Sequence, residues 1–347
     1  MSLDLSGENS PRTILAINVS RIGDTLLAVP ALRALANAWP QARMTVLGHP
    51  KRVEVLEHLP FIDKVGSITK QRARFMGRLP GRPYDLALVW GHDHALIEYA
   101  LRVSQRVVAF RQHRGDLDQR LYRVVEEAPQ YSEHAVDSAL RIPLALGIPP
   151  AGRRLQFALT EAERQHADTV LAAKGVQGRS PLIGLKVASF PTKAYRDWPE
   201  AHFIELCQRV ADTYPGAAFA IFGGADEQER IARIRKALPK LPIAGLVGLS
   251  LREAGAVMAC LDAYVGVDTG PTHIMGCFDI PIVGLFHCKL PRRLYGPLEH
   301  PYDFCLDHPR AGKDCDETTP MGELDVDTVF ARLTEALASR GADKDKP

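Results

Sequence analysis

Residues 13–35 read TILAINVSRIGDTLLAVPALRAL, and the change of pattern inside this stretch decides the fold. The first seven residues are an apolar run with β-branched side chains, the mark of a strand covered on both faces. From Thr25 the apolar residues, continuing through TLLAVPALRALANAW, recur at helical spacing, with Pro30 kinking the early part. The loop SRIGD joins the two. A strand handed over to a helix through so short a loop is one step of a doubly wound α/β sheet, and ligands bind in such loops at the carboxyl ends of the strands. Asp24 stands at the handover. One reading makes it a helix cap, since Asp readily accepts hydrogen bonds from free helix N–H groups. The other makes it a carboxylate presented to a ligand.

The same alternation continues down the chain. Strand-like runs begin at Arg43 (RMTVLG), Lys64 (KVGSI), Tyr84 (YDLALVW) and Arg106 (RVVAF), with helical stretches between several of them. The segment LGIPPAGRR, Leu146 to Arg154, breaks the rhythm with Pro, Gly and charge. Beyond it the order restarts with PLIGLKV, the helix AHFIELCQRVADTY, AAFAIFGG, the helix EQERIARIRKAL, LREAGAVMACL, AYVGVD and PIVGLF. The division expected is a first domain over 13–155, a second over 156–324, and a closing helix within 325–342, with GADKDKP a frayed tail. A chain of 347 residues is long enough for two cores.

Composition narrows the function. Apolar residues make up 46% and charged residues 24%, with 43 basic against 41 acidic side chains, so a net charge of +2 gives no reason to expect a nucleic-acid partner. The opening MSLDLSGENSPR lacks the basic start and apolar core of a signal peptide, and no run reaches membrane-spanning length, so a cytoplasmic protein is expected. The cysteines 207, 260, 277, 288, 305 and 315 show no C-x-x-C pair. Reduced thiols are the expectation.

Four loops that follow strands carry the chemistry. SRIGD holds Asp24. VDTGPTH places Asp268 at a strand end, Thr269 and Gly270 in a turn and Pro271 at a helix start, so that free N–H groups point toward an anion such as a diphosphate. KVASFPTKAYRDWPE gathers Thr192, Lys193 and Arg196 before another helix, a set suited to phosphate. FGGADEQER offers Asp226, Glu227 and Glu229 to ribose hydroxyls, although acidic first-turn residues also simply favour the helix dipole. Each signal alone has an ordinary structural explanation.

In combination, RIGDTLLAVPALRAL, a cation two residues before WP, and VDTGPTH followed by IPIVGLF resemble the ADP-heptose:lipopolysaccharide heptosyltransferase family, over nearly the whole span from Thr13 to Leu337. The resemblance implies a GT-B fold: two Rossmann-like doubly wound domains facing a central cleft, the acceptor on the first, the nucleotide-sugar on the second, and the closing helix packing back on the first. It implies an inverting glycosyltransferase that needs neither metal nor cofactor. Asp24 is then the general base, Asp268, Thr269, Gly270 and His273 contact the sugar-nucleotide, and Thr192 supplies the hydroxyl of the phosphate loop. ADP-heptose is the implied donor. The implied acceptor is a lipopolysaccharide-core hydroxyl or related glycan, reached at the inner face of the cytoplasmic membrane.

The chain also departs from the family pattern. Arg196 stands where members usually carry Lys, with Lys193 three residues earlier, so either cation is a candidate for the diphosphate. FHCKLP, with His287, Cys288 and Lys289, replaces the usual F-G-P, which makes His287 and Lys289 candidates for the sugar site. Arg21, Gly23 and His92 are candidates for the acceptor, and His113 with Arg111 and Arg114 for a basic rim. A metal held by Cys288, Cys305, His308 and Cys315 matches no common zinc spacing, and none is expected. Two rival readings are a different GT-B enzyme, such as an epimerase, and a catalytically silent sugar-nucleotide protein.

Overall fold

The computed structural model describes residue 5, residues 7–78 and residues 81–344. The expected signal-free start thus lies partly, and the last three residues of the tail wholly, outside the described residues. The chain divides into two units between Ala158 and Leu159, three residues beyond the boundary expected from the sequence.

The first unit is built on six parallel strands: β1 (Thr13–Asn18), β2 (Arg43–Gly48), β3 (Lys64–Ser67), β4 (Tyr84–Trp90), β5 (Ser104–Phe110) and β6 (Arg123–Val125). Their order is β3-β2-β1-β4-β5-β6, the order of a dinucleotide-binding doubly wound sheet. Ile14 to Asn18 of β1 are buried without a break, because the strand is paired on both edges and covered on both faces. The register sets Asn18 opposite Trp90, so the loops after β1 and β4 leave the sheet side by side at the point where the strand order reverses.

The second unit repeats the plan with β7 (Leu182–Lys186), β8 (Ala218–Gly223), β9 (Ile243–Val247), β10 (Ala263–Val267), β11 (Ile282–Phe286) and β12 (Leu306–Asp307). The order β12-β11-β10-β7-β8-β9 is the same topology counted from β7. Here the reversal falls between β7 and β10, where Lys186 pairs with Gly266. Local sequence starts the helices: Thr160 with Glu163, and Ser250 with Glu253, form capping boxes on the helices Glu161–Ala173 and Leu251–Met258.

Trp198 anchors the second core. Its indole is fully buried, stands edge-on to Phe203 at 4.9 Å and donates Nε1–H to the Leu324 carbonyl at 2.7 Å. The closing helix, Val326–Lys344, buries Val329, Leu333 and Ala336 in that same core; side chains the size of Val329 and Leu333 each stabilise the unit by about 1.5–3 kcal/mol. The helix runs through Gly341 to Lys344 where a frayed tail was expected. Among the described residues no helix is long and apolar enough to cross a membrane.

Candidate functional site

The loop after β1 is held from three sides. Asn18 donates Nδ2–H to the Asp24 carbonyl at 3.3 Å, Thr25 donates its hydroxyl to the Arg21 carbonyl at 2.8 Å, and Arg52, from the segment after β2, donates Nη1–H to the Ser20 carbonyl at 2.9 Å. The helix that follows begins at Ile22, earlier than its apolar spacing indicates, and breaks at Ala28 ahead of Pro30. Asp24 is therefore not the cap. That position belongs to Arg21, whose side chain makes no capping bond. The Asp24 side chain is exposed, and its carboxylate has no hydrogen-bond or ion-pair partner among the described residues. A fixed backbone thus carries an unspent acceptor at the carboxyl end of β1, with Arg21 and Gly23 on the same turn.

After β4 the capping role falls to Asp93, whose carboxylate accepts from Ala95 and Leu96 N–H at 3.1 and 3.3 Å. His92 is exposed, pairs with Glu127 at 2.9 Å and stacks with Phe110 and His113 at 6.4 Å each. The proposed basic rim is internally matched: Arg111 pairs with Glu126, and Arg114 with Asp116 at 2.8 Å.

In the second unit the structure brings together residues that the sequence keeps far apart. Arg196, at the end of the 3-10 turn Pro191–Arg196 after β7, donates Nη1–H to Asp268 Oδ2 at 3.0 Å across the strand-order reversal. The pair is largely buried, at 15% and 5% side-chain exposure. Burial opposes the guanidinium charge, but the Asp268 carboxylate and the Tyr195 hydroxyl together outweigh it and raise the Arg196 pKa. His273 Nε2 lies 3.5 Å from the other Asp268 oxygen. Arg196 keeps Nη2 without a hydrogen bond among the described residues. Tyr195, which the sequence did not single out, stands between the cations: Lys193 Nζ and Arg196 Cζ each lie 5.6 Å from its ring centre. Thr192 is exposed beside them, and Thr269 heads the short helix Gly270–Met275.

Glu227 is anchored rather than free. One oxygen accepts from Gly224 N–H at 2.8 Å, and the other pairs with the ammonium of Lys186, which is 5% exposed. Desolvation lowers the Lys186 pKa, and Glu227 works against it. Room for this lysine comes from Gly266, where a Cβ would lie 2.8 Å from Lys186 Cβ. A lysine ending the apolar strand LIGLK was the available signal for this pair. Asp226 stays exposed.

His287 corrects its expected role. It is 1% exposed, donates Nε2–H to the Thr319 carbonyl at 2.9 Å and accepts Lys289 N–H on Nδ1 at 3.2 Å. Both nitrogens are spent on backbone, so the ring braces Tyr195, 5.0 Å away and edge-on, instead of meeting a sugar. Lys289 pairs with Glu317 at 2.9 Å. The expectation of reduced thiols is also corrected: Cys288 and Cys315 are joined in a disulfide. Parallel pairing of β11 with β12 turns the following segment back to the end of β11, a juxtaposition that a separation of 27 residues conceals. Cys305 lies apart from it, buried with Gly284 N–H directed at its sulfur. Among the described residues His287, Cys288 and Cys315 gather their donor atoms within 4.8 Å, but the bonded sulfurs provide no thiolate.

The sequence profile of glycosyltransferase family 9 (heptosyltransferase) matches residues 72–324. Lipopolysaccharide heptosyltransferase 1 of Pseudomonas aeruginosa is 25% identical over 296 residues, covering 79% of this chain and 78% of that protein. Among solved structures, a family 9 glycosyl transferase from Veillonella parvula superposes with a TM-score of 0.78 at 18% identity, over 94% of this chain and 97% of that one. The E. coli ADP-heptose LPS heptosyltransferase II gives 0.76 at 19% identity, over 95% and 99%. The fold is accordingly of the GT-B class, and the chain belongs to glycosyltransferase family 9, the heptosyltransferases.

Proposed function

We propose that this glycosyltransferase moves a heptose from ADP-heptose to a hydroxyl of a lipopolysaccharide core or related glycan, with inversion at the anomeric carbon and without a metal. The observation that carries this reading is the Asp24 carboxylate, exposed and unpartnered among the described residues, on a braced turn at the reversal point of the first sheet. The names of its relatives support the choice of sugar and acceptor. In the proposed reaction Asp24 takes the proton of the acceptor hydroxyl as that oxygen attacks the anomeric carbon opposite the leaving group. Arg21, Gly23 and His92 are on the unit assigned to the acceptor.

On the second unit, Arg196 and Lys193 meet the diphosphate, with the Thr192 hydroxyl and the N–H groups around Thr269 and Gly270 completing the site. These fixed donors offset the charge that gathers on the departing ADP. Asp268 serves this site by aiming Arg196. With one oxygen on Arg196 and the other facing His273, it is poorly placed to hold a divalent ion, which prefers several oxygen ligands. Glu227 and Asp226 are assigned to the ribose, Glu227 with its position fixed by Lys186. The glycolipid acceptor would place the enzyme in peripheral contact with the inner face of the cytoplasmic membrane.

The test is transfer from ADP-heptose to a core glycolipid, with product configuration read by NMR. An inverted product formed in the presence of a chelator supports the reading. A retained configuration, or no consumption of ADP-heptose, would sink it.

A further inference from the structure

The segment 309–320 is fastened to the donor side of the second unit by contacts of different kinds. At its far end two buried histidines hold consecutive carbonyls: His287 donates to Thr319 and His308 to Pro320, at 2.9 and 3.1 Å. Nearer its middle the fastening is the Cys288–Cys315 disulfide. Two residues beyond Cys315, the carboxylate of Glu317 lies 2.9 Å from Lys289 Nζ and 3.9 Å from Lys193 Nζ. Lys193 shares the Tyr195 ring with Arg196. An anionic side chain of the protein itself is thus held against a cation of the phosphate-binding turn, by a bond that thiols can break.

We infer that Cys288 and Cys315 form a reversible thiol–disulfide modification site, whose oxidised form holds Glu317 against the donor-site cations and whose reduced form releases it. The inference rests on the reading of Lys193 and Arg196 as the diphosphate site. Cys315 is half-buried while Cys288 is 5% exposed, so an entering thiolate such as that of glutathione attacks Cys315 Sγ. A mixed disulfide forms there, and the Cys288 sulfur leaves as a thiolate that takes up a proton. A second glutathione attacks the mixed disulfide and frees Cys315 as a thiol. The balance is one protein disulfide and two glutathione thiols giving two protein thiols and one glutathione disulfide. Oxidation runs the same steps backward with glutathione disulfide as the electron acceptor. Because the histidine contacts do not depend on the disulfide, loosening on reduction is confined to residues 310–318.

The full chain is equilibrated with glutathione or with glutathione disulfide. Three quantities are then measured: the state of Cys288 and Cys315 by peptide mass spectrometry, hydrogen exchange of residues 310–318, and ADP affinity by calorimetry. The oxidised form should bind ADP about 3-fold to 10-fold more weakly, the range expected when one or two partly exposed ion pairs must be displaced. Its segment 310–318 should exchange more slowly. The double variant Cys288→Ser, Cys315→Ser should match the reduced protein in either buffer, and Glu317→Gln should bind ADP as the reduced protein does even when oxidised. Thiols that stay free in glutathione disulfide, zinc taken up stoichiometrically by the reduced protein, or redox-independent ADP affinity would each overturn the inference. Should ADP bind neither form, the donor-site reading fails and hydrogen exchange decides the clasp: slower exchange on oxidation upholds it, and equal exchange removes it.

Discussion

Arg196 and Asp268, separated by 72 positions in the chain, form an ion pair of 3.0 Å across the strand-order reversal of the second sheet. The pair fixes the direction of a guanidinium that would otherwise sample many rotamers. Removing the arginine with Arg196→Ala should weaken ADP binding about 10-fold to 100-fold, the range of a charge-assisted bond, while adenosine binding changes little. It also strands a buried carboxylate, at a cost of about 3–5 kcal/mol. Calorimetry with both ligands checks the first point and urea unfolding the second; equal losses for ADP and adenosine would remove the phosphate assignment.

Asp24→Asn should leave the fold and the ADP affinity intact, because the carboxylate supports no neighbour among the described residues. Turnover should fall about 100-fold to 10,000-fold, the usual contribution of a general base. Stopped-time transfer assays beside ADP calorimetry test this. Near-normal turnover would reduce Asp24 to a surface charge.

Glu163 joins two helices of the second unit: it takes two hydrogen bonds of 2.7 Å from Arg252 and closes the capping box with Thr160. The Arg252 bonds come first among the causes that bring its carboxyl pKa down to about 2 from 4.5. A pKa depressed in the folded state stabilises the protein fully above about pH 4.5, and the gain is lost as pH falls toward 2. Glu163→Gln should therefore cost about 1–3 kcal/mol near neutrality. Its deficit against the parent should shrink between pH 5 and pH 3 in urea titrations. A deficit that does not change with pH would contradict the pairing.

His287 acts over a different range. Burial lowers its pKa, with the charges of Arg196 and Lys289 acting in the same direction. Its folded form binds the proton less readily than its unfolded form, so its contribution is whole above about pH 6.5 and declines as pH falls through the lowered value. Melting temperature should drop between pH 7.5 and pH 5.5. His287→Gln, which keeps a donor for Thr319 but does not titrate, should melt lower at pH 7.5 and show a shallower slope. Parallel slopes for the two proteins would exclude His287 as the titrating group.

The two sheets were legible because buried parallel strands write themselves as uninterrupted apolar runs, as TILAINV and PLIGLKV do. The strands that escaped were the short ones near the sheet edges: RVV at β6, IAGLV at β9 and the two residues of β12. Runs of two to five residues give little periodicity to read. The site was legible as types of residue on strand-following loops, and Arg196, Asp268 and Asp24 were all named from that position alone. What those residues touch was not. Whether Asp24 caps a helix depends on a start at Ile22 that its apolar spacing does not mark. Whether His287 faces a sugar or a carbonyl depends on Thr319, and whether Cys288 is a thiol depends on Cys315. Such pairings are made by tertiary folding, and no local pattern announces them.

The buried indole of Trp198 has a practical consequence for following the molecule in solution. The chain holds three tryptophans, of which Trp39 and Trp90 lie in the first unit and Trp198 in the second. Trp198 is wholly shielded, whereas the other two each retain 8% exposure. Fluorescence from a Trp198→Phe variant would then report on the first unit alone, and the difference from the parent on the second. Any gap between the two melting transitions becomes visible without labels, so the independence of the two cores can be measured directly.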